Sequence, residues 1–247
     1  MTPGGPSYII NPTATPADFD VVVLHVRGVP ACSGAVVAPT VVVTAAHCVA
    51  QVSKDAVTAS VGTPSSDVRV PSSVELDPSY DSTRHLHDLA VLRFDQPLAS
   101  KPLALATRPA EVGTLVSLAG IGATDASAAP VEGFEPKVNE GTARVAQVEA
   151  SWLRLDGAPS FSCHGDSGGP VTVQDGSGYR LVGVVTAGDE KCSAYSVVAR
   201  VDNSKWLTSQ LGPEPIVGGC AVAPGGGAGL GLVLLLAAAL RRSRRRR

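Results

Sequence analysis

Short runs of β-forming residues, separated by Gly, Pro, Asp and Ser, most constrain the fold of this chain. Runs of this length with turn residues between them are typical of a β-barrel or a β-sandwich. One stretch, residues 202–211, breaks the rhythm: Asp202 or Asn203 can cap a helix, and apolar residues follow at helical spacing. We therefore predict an all-β fold with one closing helix. The predicted strands cover residues 21–26, 41–46, 56–62, 89–94, 115–122, 143–155, 169–174, 180–188 and 195–201.

The composition is that of a folded chain. Of its 247 residues, 44% are hydrophobic and only 17% are charged, so the chain can bury a sizeable core as one domain or as two small ones. Residues 123–140 are rich in Ala, Pro, Gly and acidic residues, and we expect them to form a long surface connection between two β units.

The charge is unevenly distributed. Six of the 20 Lys and Arg residues lie in 241–247, which leaves 14 against 22 Asp and Glu, so the rest of the chain carries 14 − 22 = -8. Binding to nucleic acid depends on clustered cations that neutralise phosphates. An acidic body of this kind excludes a nucleic-acid partner for the main part of the chain.

The segment "FSCHGDSGGPV", residues 161–171, places reactive side chains among glycines and a proline. A serine hydroxyl is a weak nucleophile unless an imidazole removes its proton and a third group orients that imidazole. The glycines allow a tight turn in which the amides of Gly165 and Ser167 point at one spot, where they would bind a developing oxyanion. A glycine-rich hairpin whose serine has no chemical role remains the alternative from this segment alone.

Two other segments supply the partners that such a serine needs. "VVVTAAHCVA", residues 41–50, places His47 beside Cys48 just after a predicted strand, and "HLHDLAVLRF", residues 85–94, places Asp88 before another. A carboxylate that enters the core should be paired, because an unpaired buried charge costs several kcal/mol. A hydrogen bond from a histidine N–H would pair Asp88 and fix the tautomer of that histidine.

With "TAAHC", "HDLAVL" and "GDSGGP" in this order, the chain resembles the chymotrypsin-like (trypsin-fold) serine proteases over about residues 9–211. The resemblance implies that His47 is the general base and acid, Asp88 its orienting partner and Ser167 the nucleophile. Gly165 and Ser167 would form the oxyanion hole. The implied fold has two antiparallel six-stranded β-barrels, with the site in the crevice between them and a helix at the C-terminal end.

The resemblance also predicts a substrate pocket with a neutral floor. Trypsin-like members carry an aspartate six residues before the nucleophile, and this chain has Phe161 there, which disfavours cleavage after Lys or Arg. We expect a small or medium apolar residue before the scissile bond, although Asp189 and Glu190 could attract a cation at the rim. The substrate-binding residues implied by the resemblance are Phe161, Ser162, His164, Thr186, Gly188 and Ser196.

Activation by cleavage is a second implication of the resemblance. Family members free an Ile or Val amine that pairs with the Asp before the nucleophile, which predicts an ion pair between Ile9 and Asp166. Residues 1–8 would then be a leader or propeptide remnant, and residues 9–212 the protease domain. Tyr8 rather than Arg or Lys precedes Ile9, so an activator would not be trypsin-like. Packing of Ile9 and Ile10 in the first strand is the alternative.

The cysteines agree with the resemblance. Cys32 with Cys48, and Cys163 with Cys192, match two bridges of the family, which indicates an oxidising compartment. Cys220 is left over. No C-x-x-C spacing occurs, and we predict no metal and no organic cofactor. If His85, His87 and Asp88 lay on a strand, the two histidines would share a face and could chelate a metal, but Asp88 is already needed by His47.

The end of the chain has a different character. Residues 213–227 form a Pro- and Gly-rich linker, residues 228–240 an apolar helix and residues 241–247 an Arg cluster. The uncharged stretch 221–240 is about 30 Å long as a helix, so it could cross a membrane with the Arg cluster on the cytoplasmic side. A buried helix followed by a nucleic-acid-binding tail is the alternative. With Gly219 and Cys220 ahead of the helix, the segment also resembles the myxobacterial sorting signals, in which Cys220 would be a site of sorting or lipid attachment.

These observations predict an exported bacterial serine endopeptidase of the cell envelope, cell surface or extracellular space. Residues 1–20 contain no secretory signal, which conflicts with the predicted disulfides, so we expect an export signal upstream. Its partners would be protein or peptide substrates and, through the C-terminal segment, a membrane; we expect a monomer. The competing hypotheses are a catalytically silent homologue that acts as a binding module and a general esterase on the same scaffold.

Overall fold

The structure is a computed structural model that describes residues 9, 20–62, 67–122, 137–156 and 160–212. The chain divides into two compact units, Met1–Pro213 and Glu214–Arg247, and the second unit lies entirely outside the described residues. The predictions for the linker 213–227, the apolar helix 228–240, the Arg cluster and Cys220 therefore lie outside the described residues. Within those residues, no helix has both the length and the apolar character needed to span a bilayer.

The first half of the described chain forms a six-stranded antiparallel sheet with the order β4-β1-β2-β3-β6-β5. All four residues of β3, VVVT, are buried, which is why this strand has no polar-apolar alternation. Ala59 in β4 pairs with Arg69, shortly before β5, and this bridge brings the two edges of the sheet together. The strands are β1 (Val22–Val26), β2 (Val29–Ala38), β3 (Val41–Thr44), β4 (Val57–Val61), β5 (Ser73–Leu76) and β6 (Ala90–Arg93).

The second half forms a seven-stranded sheet with the order β11-β8-β9-β10-β13-β12-β7, and an additional pairing of β11 with β12 closes six of the strands into a barrel. The seventh, β7, adds to β12 in parallel. The prediction of an all-β fold with two barrel-like sheets is confirmed. The strands are β7 (Ala104–Leu105), β8 (Leu115–Gly120), β9 (Asn139–Val148), β10 (Trp152–Asp156), β11 (Pro170–Asp175), β12 (Gly178–Gly188) and β13 (Tyr195–Arg200).

One helix, α1 (Lys205–Leu211), follows the second sheet as predicted, but its cap differs from the prediction. Ser204 is the N-cap, and its hydroxyl accepts a hydrogen bond from the Leu207 amide at 3.1 Å. Asp202 instead forms an ion pair with Arg200, with a 2.6 Å N–O distance, and the Asn203 side chain donates to the Ala150 carbonyl. Both predicted caps are therefore engaged with the second sheet.

The expectation that residues 123–140 separate two β units was wrong. This segment joins β8 and β9, which are adjacent strands of the second sheet with Gly120 opposite Asn139. The division between the sheets falls earlier, between β6 and β7. Composition indicates a connection between strands but does not show which strands it joins.

Three apolar clusters form the core of the two sheets. One lies inside the first sheet and one inside the second. The third contains residues from both, with Val43 and Val91 on one side and Leu181 and Val184 on the other, and α1 contributes Leu207. This third cluster makes the two sheets one packed body, so side chains at the border between the sheets have fixed positions. The predicted bridges Cys32–Cys48 and Cys163–Cys192 are both present.

Candidate active site

The pairing of β3 with β6 brings His47 and Asp88 together. Thr44, the last residue of β3, lies opposite Ala90, the first residue of β6. His47 follows β3 in the 3₁₀ turn Ala46–Cys48, and Asp88 lies just before β6, so the antiparallel register places them at the same edge of the sheet. Local strand chemistry and one register thus account for a contact between residues 41 positions apart.

Asp88 holds the His47 ring in one orientation. Its Oδ2 lies 2.7 Å from Nδ1 of His47, and its Oδ1 accepts a hydrogen bond from the His47 backbone amide at 2.8 Å. The hydroxyl of Thr186 in β12 donates to the same Oδ2. With Nδ1–H donating to the carboxylate, Nε2 keeps its lone pair and can accept a proton.

The Asp88 carboxylate stays ionised although it is fully buried. Burial acts to raise its pKa, but the hydrogen bond and charge of His47, with the Thr186 hydroxyl and the His47 amide, outweigh burial and hold the pKa below its ordinary value. Thr186 was predicted as a pocket residue from the resemblance, and its contact with Asp88 was missed. No local motif signals a bond across 98 residues.

Ser33 of β2, which sequence reasoning also missed, fastens the Ser167 turn to the first sheet. Its amide donates to the Ser167 carbonyl at 2.7 Å, and its hydroxyl donates to the Gly165 carbonyl at 2.9 Å. The Ile121 amide completes the arrangement by donating to the Ser33 hydroxyl at 3.1 Å. One small polar side chain thus links β2 and the end of β8 to the turn that carries Ser167.

The turn can approach the first sheet this closely because residue 168 is glycine. Gly168 has a positive φ of 81°, and a Cβ there would lie 2.0 Å from the Thr44 hydroxyl and 2.3 Å from the Ser33 carbonyl oxygen. The disulfide sulfur of Cys48 lies 3.8 Å from both the Ser167 carbonyl oxygen and Nε2 of His47. The structure therefore brings the Ser167 turn beside His47.

The three residues of the predicted triad are not equally connected. His47 and Asp88 are hydrogen-bonded, but among the described residues no hydrogen bond joins the Ser167 hydroxyl to the His47 ring. Contacts of this kind are commonly long before substrate binds. The backbone N–H groups of Gly165 and Ser167 donate to no acceptor within the described part of the chain, so both are available to a bound oxygen.

Asp166 is held by backbone amides in the chain as it stands. Its Oδ1 accepts from Gly122 at 2.7 Å and its Oδ2 from Cys163 at 2.8 Å. Burial raises the pKa of Asp166 to about 7, although these two amides act in the opposite direction. Ile9 is fully buried in the apolar cluster of the second sheet, not in β1. Because Ile9 follows Tyr8, its nitrogen is a peptide nitrogen, and its ion pair with Asp166 remains a prediction for a cleaved chain.

Three of the predicted pocket residues lie together. The hydroxyl of Ser196 accepts from both the amide and the hydroxyl of Ser162, at 2.9 and 2.8 Å, and Gly188 lies opposite Ser196 in the β12–β13 pair. A Cβ at Gly188 would lie 3.7 Å from the Ser162 hydroxyl. Phe161, which directly precedes Ser162 in the chain, is partly buried, and His164 is exposed.

Asp189 was predicted as a residue that could attract a cation at the rim of the pocket. Its carboxylate points at its own loop. It accepts from the amides of Ser193, Ala194 and Tyr195 at 2.8–3.2 Å. Desolvation is the largest single effect and acts to raise its pKa, but these amides and the Ser193 hydroxyl together lower the pKa to about 2. The charge persists, but the loop amides occupy the oxygens that would bind a substrate cation.

His85 approaches Asp88 more closely than sequence reasoning expected. Residues 85–87 form a turn, with positive φ values of 52° at His85 and 51° at His87, so the premise that the two histidines share a strand face was wrong. Nδ1 of His85 lies 3.9 Å from Oδ2 of Asp88. The His85 and His47 rings meet edge to face, with 5.7 Å between their centroids.

A family model for the trypsin domain matches residues 11–207 of this chain. The matched range contains both sheets and every predicted site residue except Ile9 and Cys220.

Proposed function

The chain belongs to the trypsin family of serine proteases, and on this premise we propose that it is an endopeptidase with the triad His47, Asp88 and Ser167. The observation that carries the proposal is the pair of hydrogen bonds from His47 to Asp88, at 2.7 and 2.8 Å. These bonds orient the imidazole and leave Nε2 to act as a base. The position of the Ser167 turn against the Cys48 sulfur supports the third member.

In the proposed reaction, Nε2 of His47 takes the proton of the Ser167 hydroxyl as Oγ bonds to the substrate carbonyl carbon. The carbonyl π electrons move to oxygen, and the resulting oxyanion accepts hydrogen bonds from the amides of Gly165 and Ser167. When the intermediate collapses, the C–N bond breaks and the amine leaves with the proton from His47. Water, deprotonated by the same Nε2, then attacks the acyl-enzyme and releases the acid, and Ser167 recovers its proton.

We propose that the residue before the scissile bond is small or medium and apolar. Phe161 and the mutually bonded hydroxyls of Ser162 and Ser196 present no charge to a bound side chain, and a buried cation without a carboxylate would be poorly compensated. A panel of chromogenic peptides that differ only at this residue tests the assignment. We expect the highest kcat/KM with apolar residues; highest values with Arg or Lys would contradict it.

A cleft of about 370 Å³ beside His85 fits the substrate residues that precede this one. Trp152, Ala187 and Tyr195 are among the residues that line it, and the Arg154 guanidinium lies 4.6 Å from the centre of the Tyr195 ring. Ala187 connects this cleft to Gly188 in the pocket. An extended peptide could therefore contact the cleft and the pocket together.

We propose activation by cleavage before Ile9, with a new ion pair between its amine and Asp166. The support is the carboxylate itself, which is fully buried and bonded to amides alone among the described residues. A cation would compensate the charge that burial opposes. An uncleaved chain would have low activity. A catalytically silent homologue that acts as a binding module is therefore the second candidate. A gain of activity upon cleavage before Ile9 would reject it.

We also propose that the protein is exported and works at the bacterial cell envelope, on the cell surface or outside the cell, as a monomer. The two disulfides support an oxidising compartment. Residues 213–227 would be a spacer, 228–240 a membrane helix and 241–247 its cytoplasmic flank, with Cys220 modified during sorting. Mass spectrometry of the protein from its native host would give both termini and any lipid on Cys220. An intact tail with unmodified Cys220 would contradict sorting.

A general esterase is the remaining alternative, and a comparison of substrates tests it. We expect the enzyme to hydrolyse both peptide amides and the matched esters of the same acyl group. Ser167→Ala should be inactive on both kinds of substrate. Hydrolysis of esters with no measurable hydrolysis of any peptide would favour the esterase.

A further inference from the structure

His47, His85 and Asp88 bring three metal-ligating side chains to one place. One ligand atom from each lies within 4.8 Å of the other two. The second such group in the described residues, Cys32, His47 and Cys48, is different, because its cysteines form a disulfide and have no thiolate to offer. Two imidazoles and a carboxylate are a ligand set that suits zinc and similar divalent ions.

We propose that His85, together with His47 and Asp88, binds a divalent transition metal such as zinc, and that the bound ion switches the peptidase off. The binding itself stands on the side-chain cluster, whereas the loss of activity rests on the proposed function of His47. The metal is a reversible inhibitor, not a cofactor: an ion bound to Nδ1 of His47, the ring nitrogen that faces Asp88, replaces the proton there and leaves the ring proton on Nε2, which then cannot act as the base.

The movement that binding requires of His85 is small, and the ion must also replace the proton that Nδ1 of His47 shares with Asp88. Two ligand atoms of a tetrahedral zinc ion with bonds of about 2.1 Å lie about 3.4 Å apart. Nδ1 of His85 lies 3.9 Å from Oδ2 of Asp88, so closure needs a shift of well under 1 Å along that edge. The two rings are nearly perpendicular, at 86°, and the His85 ring must turn to aim its lone pair at an ion near His47. The His85 side chain is 47% exposed, which gives it room to turn.

Electrostatics favour the same position. The buried Asp88 carboxylate is negative, and its hydrogen-bond partners His47 and Thr186 contribute no fixed charge when His47 is neutral. A cation between His85 and His47 would lie near this charge, and water can fill the fourth coordination position, because the side chains of both histidines reach solvent. The site therefore holds three protein ligands with one open position.

Equilibrium dialysis or calorimetry with Zn²⁺ tests the binding directly. The protein for this test is Ser167→Ala, which prevents self-digestion and needs no activity. His85→Asn removes the ligand while keeping a residue that tolerates a positive φ, and His87→Asn is the matched control two positions away in the same turn. We expect one strong site, retained in His87→Asn and weakened by more than about tenfold in His85→Asn. Absence of zinc binding, or equal affinity in the two variants, would overturn the proposal.

Inhibition provides the second measurement. Zn²⁺ should reduce peptide hydrolysis, a chelator should restore it, and the inhibition constant should rise by more than about tenfold in His85→Asn when each variant is compared with its own metal-free rate. Thermal unfolding of both variants checks that they are folded. If no variant hydrolyses peptides while His85-dependent binding persists, the proposed function fails and the metal site stands. If peptides are hydrolysed but zinc neither binds nor inhibits, the metal site fails alone.

Discussion

At the scale of the single residue, the hydroxyl of Thr186 makes a contact that its position in the sequence does not reveal. It donates to the buried Oδ2 of Asp88, the same oxygen that faces His47. A carboxylate with two such donors has few other orientations available. We therefore interpret Thr186 as a positioning residue for Asp88, in addition to its proximity to the pocket.

Replacing Thr186 by Val keeps the branched shape and removes the donor. Loss of a hydrogen bond to a charged group of about 1.5–3 kcal/mol predicts a fall in kcat/KM of about tenfold to hundredfold, with a smaller effect on KM. The matched control is Thr172→Val, because Thr172 is also fully buried and its hydroxyl has no partner among the described residues. Thr172→Val should leave kcat/KM unchanged. Equal effects of the two substitutions on kcat/KM would show that the Thr186 hydroxyl has no special role.

At the scale of the element, the turn between residue 160 and β11 depends on a glycine at position 168. Gly168→Ala combines a positive φ with contacts of 2.0 and 2.3 Å to Thr44 and Ser33, so we expect a loss of about 2–6 kcal/mol in the free energy of unfolding and a loss of activity. Gly176→Ala, in the β11–β12 hairpin, meets no atom within 4 Å and should change stability by no more than about 0.5 kcal/mol. Chemical denaturation measures both. A Gly168→Ala protein as stable as Gly176→Ala would contradict the close packing of this turn.

The elements differ in how well they could be predicted. His47, Asp88 and Ser167 lie in short local motifs that can be recognised from the sequence. Most of the Val-rich runs form strands, as predicted. β2 was missed because Pro30 and Gly34 interrupt its pattern, and β5 because it has only four residues, none fully buried. The run 143–155 contains two strands, β9 and β10, separated by a turn. The contacts of Ser33 and of Thr186 depend on how the two sheets pack, with separations of 132 and 98 residues, and no local signal encodes them.

At the scale of the whole molecule, Asp166 links stability to pH and to maturation. Its pKa of about 7 in the folded, uncleaved chain exceeds its ordinary value of 3.8, so the folded state binds more protons than the unfolded state between these values. The free energy of unfolding should therefore fall as the pH rises from about 4 to about 7, by on the order of 4 kcal/mol from this group.

Asp166→Asn should lack this part of the pH dependence, and denaturant titrations of both proteins from pH 4 to pH 7 measure it. The quantity compared is the slope of the free energy of unfolding against pH. Absolute stabilities differ, because the asparagine amide turns a donor toward the amide of Gly122 or Cys163 and lowers stability at every pH. A chain cleaved before Ile9 should also lose the dependence, since its new amine would pair with the carboxylate. Identical slopes for the parent and Asp166→Asn would contradict the assignment.

The central claim is that Ser167 is the nucleophile activated by His47, and covalent labelling tests it most directly. The cleaved, folded protein is treated with a fluorophosphonate, and the adduct is located by peptide mass spectrometry. We predict one adduct, on Ser167, which is lost in Ser167→Ala, strongly slowed in His47→Ala and retained in the helix control Ser209→Ala. An adduct on another serine, or labelling of Ser167 at the same rate without His47, would contradict the account.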